Sequence, residues 1–180
     1  MSVQPVAERI QNPEGTPKGA ADKHAPKTIQ VVEFILGKEH FAIDLFDVKE
    51  VVEYTTITKL PDSPEYVRGI IDLRGEITKI VDLKQRLNIQ KTGDTAVEAS
   101  RIMVLDTKVT GAKVAILVDG VTSVSTFEGN EVDYASADTH QDDSAIIGII
   151  KRKVKEKEKE INELIIWIDI RQLLRDTGTG

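Results

Sequence analysis

A chain of 180 residues with 40% hydrophobic and 30% charged side chains can bury a substantial core, as one domain or as two small subdomains sharing it. Its formal charge of −6 lacks the electrostatic footprint of a nucleic-acid binder, because the one basic cluster, Lys151 to Lys159, is interrupted by glutamates. Zero cysteines exclude disulfide frameworks, thiolate zinc sites and cysteine nucleophiles and fit a reducing cytoplasm, while the lack of an apolar run of ~18 residues or a signal-type stretch argues against a membrane span or secretion by that route.

Residues 1 to 27 hold Pro5, Pro13, Pro17, Pro26, Gly15 and Gly19 with few clustered apolar side chains, the composition of a disordered tail. Ile29 to Leu36 alternates as a strand, Gly37-Lys38 reads as a turn, and His40 to Leu45 returns as the second arm of a hairpin. The spacing of Leu45, Val48, Val51 and Val52 allows a short helical turn or an irregular strand start. Ile57 to Leu60 reads as a brief strand ended by Pro61 and Pro64. Two strands joined at a glycine-marked bend follow, with Ile70, Ile71 and Leu73 on one arm and Ile77, Ile80 and Val81 on the other. Arg74 sits between Gly69 and Gly75. A guanidinium planted in an apolar strand pair is expected to meet a carboxylate, with Asp72 or Glu76 the nearest, or a partner's backbone.

Asp82 is placed to cap a short helix over 83–87, and Gln90 to Ser100 is a polar linker. The second half repeats the hairpin logic with strands at Ile102 to Asp106, Val114 to Val118 and Val121 to Phe127, broken near Thr110-Gly111 and Asp119-Gly120. Gly129 to Ser144 reads as a polar loop, Ala145 to Ile150 and Leu164 to Ile168 as paired strands, and Asp169 to Arg175 as a closing helix with Arg171 and Arg175 toward its C-terminal end. Only four Phe, three Tyr and one Trp are present, so the core is aliphatic. Valine and isoleucine runs at short intervals, with no long amphipathic crossover helix, predict a mainly β chain built as sandwiches or small barrels rather than a parallel sheet.

Catalytic chemistry finds little support. His24, His40 and His140 show no metal-ligand spacing, and no nucleophile signature or Gly-rich phosphate loop occurs. Asp142-Asp143 and the pair Glu128 and Glu131 are ordinary solvated acids. A nonenzymatic chain without catalytic residues, cofactor or metal is expected. The run Lys155 to Glu160 reads as a solvated, mobile hairpin tip, with a docking arm as the alternative.

Four segments in order resemble one family. Phe34-Ile35-Leu36-Gly37 through Phe41-Ala42-Ile43-Asp44 is similar to its F-x-L-G…Y-G-I-D opening, with Val48 to Val51 similar to K-V-x-E-I. Gly69 to Leu83 is similar to G-V-I-N-L-R-G-x-I-V-P-I-V-D-L, Val118 to Val124 to V-D-x-V-x-x-V, and Leu164 to Leu174 to L-I-x-x-L-D-x-x-x-L-L. The family is CheW, the adaptors that couple chemoreceptors to the histidine kinase CheA. The resemblance implies two SH3-like five-stranded β-barrel subdomains with short helices over residues 28–176, about 28–90 and about 98–176, with strand exchange between them allowed and 177–180 a flexible end.

CheW-like modules also occur within CheA and CheV, but 180 residues leave no room for a kinase or receiver domain, so a standalone adaptor is expected. It implies binding to the cytoplasmic hairpin of a methyl-accepting chemotaxis receptor and to the regulatory domain of CheA, contacts between copies in arrays, and a cytoplasmic location recruited to those arrays without membrane insertion. Val48, Gly69, Arg74, Val121 and Val124, with Glu50, match receptor-groove positions. Asp72 stands where the family has Asn, Lys79 replaces Pro, and the charged segment from Lys151 to Glu160 is a departure. On a regular strand Asp72 projects with Arg74 and partly neutralises it. The alternative is a β-barrel interaction scaffold of another signalling system without receptor or kinase coupling, and a small-molecule-binding enzyme ranks third.

Overall fold

The computed structural model describes residues 28–90, 97–135 and 145–176. Eleven strands alternate with short helical turns in them: β1 (Thr28–Leu36), β2 (Glu39–Asp44), β3 (Val48–Glu53), β4 (Val67–Leu73), β5 (Glu76–Asp82), β6 (Arg101–Leu105), β7 (Val114–Val118), β8 (Gly120–Glu128), β9 (Val132–Tyr134), β10 (Ile146–Glu156) and β11 (Lys159–Ile168). The helices α1 (Leu83–Arg86), α2 (Thr107–Thr110) and α3 (Ile170–Leu173) are single turns, each started by an aspartate whose carboxylate accepts a backbone N–H: Asp82, Asp106 and Asp169. The polar linker and the loop before Ala145 are partly seen, and the predicted tail, residues 91–96, 136–144 and 177–180 lie outside the described residues.

The strands form a six-stranded sheet in the order β8-β1-β2-β11-β10-β9 and a five-stranded sheet in the order β3-β6-β7-β5-β4. Neither is a contiguous piece of chain: β1 and β2 join strands from beyond residue 119, while β6 and β7 sit between β3 and β5. This interleaving produces two parallel pairings, β2 with β11 and β5 with β7, which hairpin logic alone does not generate. The first sheet has one strand more than expected, because Val132–Tyr134, read above as loop, pairs with Gly148–Ile150. The brief strand over 57–60 reduces to one bridge, Thr58 with Ile70, which carries the chain leaving β3 across to β4 and joins the two edges of the five-stranded sheet into a barrel.

Alternation of side chains sorts the core into three layers. One face of the six-stranded sheet encloses Ile29, Val31, Ala42, Phe127, Ile150, Ile165 and Trp167, and one face of the five-stranded sheet encloses Ile71, Ile80, Ile102, Val104 and Ala115. The opposite faces meet in the largest cluster, where Val32, Phe34, Leu36, Phe41 and Ile43 pack against Val81, Met103, Leu105, Ile116 and Val118. β1 therefore serves two cores at once, odd residues inward and even residues toward the other sheet, and this explains its near-continuous apolar sequence.

One ionic cluster interrupts the first barrel. Glu33, fully buried, follows Ile29 and Val31 on the inward face of β1, and its Oε1 accepts from Arg152 at 2.8 Å. Arg152 also donates to Glu163 Oε2 through Nε at 2.8 Å, and Glu163 lies 3.5 Å from His40 Nδ1. Burial works against the Arg152 charge, but the hydrogen bonds to Glu163 and Glu33 outweigh it and hold the guanidinium above its ordinary range.

Candidate functional site

Two edge strands present valines to solvent beside the inter-sheet core, β3 from one barrel and β8 from the other. Val48 pairs with Leu105 and Val51 with Met103, both members of that core. Three residues apart, these valines belong on opposite faces of a regular strand; a bulge between Val48 and Glu50 inserts Lys49 and brings both to one face. β8 repeats the device. Val121 pairs with Phe34 and Val124 with Val32, and the register shift leaves Thr122 as the extra residue, its Oγ1 donating to the Glu33 carbonyl at 3.2 Å. Val48 and Val121 are half-buried against the shared core, whereas Val51 and Val124 are 41% and 60% exposed.

The starts of both strands are pinned. Asp47, buried in the turn before β3, accepts from Arg171 Nη2 at 2.7 Å and Nε at 3.2 Å, and its carbonyl accepts from the Asp106 N–H. Arg171 thus reaches back to the first half of the chain instead of serving the C-terminal end of α3. Asp119, at the start of β8, accepts from Lys84 Nζ at 2.7 Å and from the Gly37 N–H at 2.6 Å, tying α1 and the β1–β2 turn to that corner.

Arg74 and Glu50 form a fork. Nη1 donates to Oε1 at 2.9 Å and Nη2 to Oε2 at 2.5 Å, bridging the β4–β5 turn to the β3 edge. The hydrogen bond from Arg74 holds the Glu50 carboxyl below its ordinary range, and the one to Glu50 holds the guanidinium above its own. Arg74 remains 67% exposed.

This overturns two expectations. Arg74 does not lie in a strand; with φ of 52° it is the first residue of a two-residue turn completed by Gly75 at φ 82°. Nor does Asp72 neutralise it, because Asp72 Oδ1 accepts from the Gly75 N–H at 2.7 Å and holds the turn.

Gly69 is corrected as well. It is buried, with φ of 143°, and a Cβ built on it would lie 2.1 Å from the Thr58 carbonyl oxygen, so the backbone it admits is the chain's own. Of the six expected positions, Val48, Val121 and Val124 face the inter-sheet core, Glu50 and Arg74 pair directly, and Gly69 closes the second barrel.

Two exposed apolar residues were missed: Val51, and Phe46, 65% exposed in the turn before β3. The repeated Val-x-x-Val spacing of Val48 to Val51 and Val121 to Val124 was a signal for the first. Among the described residues no cluster of His, Cys, Asp or Glu could hold a metal ion, and no helix is long and apolar enough to cross a membrane.

Residues 30–178 match the family model of the CheW-like domain. The chain is 30% identical to chemotaxis protein CheW of Thermotoga maritima over 152 residues, covering 84% of this chain and 91% of that protein. It is 32% identical to the probable chemotaxis protein CheW of Rhizobium etli over 97 residues, which span 54% of this chain and 60% of that relative's length. The crystal structure of the scaffolding protein TtCheW from Thermoanaerobacter tengcongensis superposes with a TM-score of 0.66 at 34% identity, covering 84% of this chain and 95% of that one. With its two β subdomains sharing one core, the chain belongs to the CheW-like family.

Proposed function

We propose that this chain is a nonenzymatic chemotaxis adaptor that couples the cytoplasmic hairpin of a chemoreceptor to the histidine kinase CheA. The observation that carries the reading is the pair of bulged edge strands, each turning two valines toward the same inter-sheet core and leaving the outer one exposed. An apolar strip of this kind suits the apolar stripe of a helical hairpin. The Arg74–Glu50 fork adds an exposed guanidinium, preset in direction, that can donate to a carboxylate or a helix-terminal carbonyl.

The matching experiment measures binding of the full chain to a receptor hairpin fragment and to CheA, with Val51→Asp and Val124→Asp as probes. Both side chains are exposed, so the variants are expected to keep the wild-type melt while losing receptor affinity, since a carboxylate cannot stay hydrated in an apolar contact. Normal receptor binding by both removes these strands from the contact. If the wild type captures neither receptor nor CheA, the chain is an interaction scaffold without that coupling.

A further inference from the structure

The hairpin of β10 and β11 runs on beyond the sheet that carries it. β9 pairs with β10 only at Gly148–Ile150 and β2 with β11 only at Ile165–Trp167, whereas β10 and β11 stay paired out to Glu156 and Lys159. Lys157 and Glu158, at φ 45° and 66°, form a tight two-residue turn, so the segment read above as a mobile tip is strand in all but those two residues. From Lys151 to Glu156, β10 has β11 on one side and no strand on the other among the described residues. At about 3.4 Å per residue this leaves an open edge roughly 20 Å long.

The chemistry of that edge is one-sided. Arg152 turns inward to Glu33 and Glu163, and Val154 pairs with Ile161 on the same face. Alternation then places Lys151, Lys153 and Lys155 together on the outer face. Lys151 lies 3.2 Å from Asp133, both side chains more than half exposed; Lys153 and Lys155 have no carboxylate within ion-pair distance among the described residues. A chain of net charge −6 thus gathers four cations and one glutamate into six residues on an unpaired strand edge.

Lysines on an edge discourage strand pairing in general, and here they discourage pairing between copies. Two β10 edges meeting antiparallel over these six residues would set Arg152 against Lys155. Antiparallel addition of β10 to another copy's β11 edge puts both barrels at the same end of the ribbon at strand spacing, where the bodies collide. A different chain carrying the opposite charge meets neither obstacle.

We propose that the β10 edge from Lys151 to Glu156 accepts an extended acidic segment of a partner protein as an added strand, its carboxylates at alternate positions meeting Lys151, Lys153 and Lys155. Main-chain hydrogen bonds hold the segment and the lysine row selects its charge pattern. The edge belongs to β10, whereas the valines of the proposed helical contact lie on β3 and β8.

The test uses the full chain and a fluorescein-labelled seven-residue peptide alternating glutamate with valine, followed by fluorescence polarisation at low salt. Three comparisons accompany it: lysine in place of glutamate, the acidic peptide N-methylated at alternate amides, and the Lys153→Glu/Lys155→Glu double variant, whose melt checks folding. The proposal expects saturable binding of the acidic peptide, none of the basic one, a loss of about tenfold or more with the double variant, and a comparable loss on N-methylation. Added acidic peptide should also slow amide exchange within residues 151–156. No saturable binding, an unchanged affinity in the folded double variant, or equal binding of the N-methylated peptide, which marks ionic adsorption without a strand, overturns it.

Discussion

Gly69→Ala is expected to be a folding defect that leaves the partner-facing surface alone. A Cβ at this position would lie 2.1 Å from the Thr58 carbonyl oxygen, 2.7 Å from its carbon and 2.9 Å from Ile57 Cγ2, and two of those three atoms are backbone. No rotamer change relieves the overlap, so either the segment before β4 lifts away or β4 shifts. Lifting breaks the paired bonds between Thr58 and Ile70, at 2.9 and 2.8 Å, each contributing about 1 kcal/mol net. Holding alanine at a φ of 143° adds strain, of order 1–3 kcal/mol. The sum is about 3–5 kcal/mol, and for a chain of this size each kcal/mol moves Tm by roughly 2–4 °C, so the melt should fall by roughly 10 °C. Thermal unfolding followed by circular dichroism reads this directly, and receptor binding well below the lowered Tm should be close to wild type. A melt within about 2 °C of wild type, accompanied by lost receptor binding, would refute the argument and return Gly69 to the contact surface.

Three further outcomes follow from the charge arrangement. Arg152→Met leaves the fully buried Glu33 without its cation and should cost about 3 kcal/mol or more in denaturant unfolding, with part recovered by adding Glu33→Gln. Glu50 titrates below the ordinary glutamate value of 4.5 in the folded chain, so its favourable contribution is complete above that value and is lost as pH falls through the lower folded value. A carboxyl chemical-shift titration should place the Glu50 midpoint below that of free glutamate, and Arg74→Gln should return it. Asp72→Asn should leave the Arg74–Glu50 fork and receptor affinity unchanged, because the asparagine carbonyl can still accept from the Gly75 N–H; tighter receptor binding in a calorimetric titration would show that the carboxylate does reach Arg74.

The strands were legible wherever alternation and turn chemistry agreed. β1, β2, β7 and β8 fall within a residue or two of their expected bounds because Gly37, Gly111 and the Asp119-Gly120 pair mark chain reversals between apolar runs. β9 was hidden because it is only three residues long, inside a polar stretch, and gains its strand geometry by pairing with Gly148–Ile150. The β10–β11 hairpin was underestimated for a related reason: beyond Ile150 its strands carry lysine and glutamate on both faces, and their regularity comes from cross-strand partners such as Arg152 with Glu163 and Val154 with Ile161. The expected hairpin pairings of β1 with β2, β4 with β5 and β10 with β11 are present, but the pairings beyond them were not legible, since placing β7 beside β5 and β11 beside β2 is decided by how the two sheets share a core, a property of no local window.

At the candidate site, positional likeness supplied the residues but not their parts in the structure, and backbone irregularity is what separates the two. Strand period alone assigns Val48 and Val51, or Val121 and Val124, to opposite faces. One inserted residue in each strand, Lys49 and Thr122, reverses that assignment. The same irregularity acts on β4, where a register shift between Val67 and Gly69 precedes the close contact with Thr58. Two bulges thus bring a pair of valines each to the face of the inter-sheet core, and the third accompanies the close contact by which the five-stranded sheet closes on Thr58. A bulge adds local twist and bends an edge strand away from further pairing, so the edges that expose these valines are poor templates for an added strand and suit side-chain contact with a helix. The regular, unbulged edge of β10 between Lys151 and Glu156 has the opposite character. The chain therefore carries two kinds of edge, and backbone regularity separates the one proposed for a helical partner from the one proposed for an extended partner.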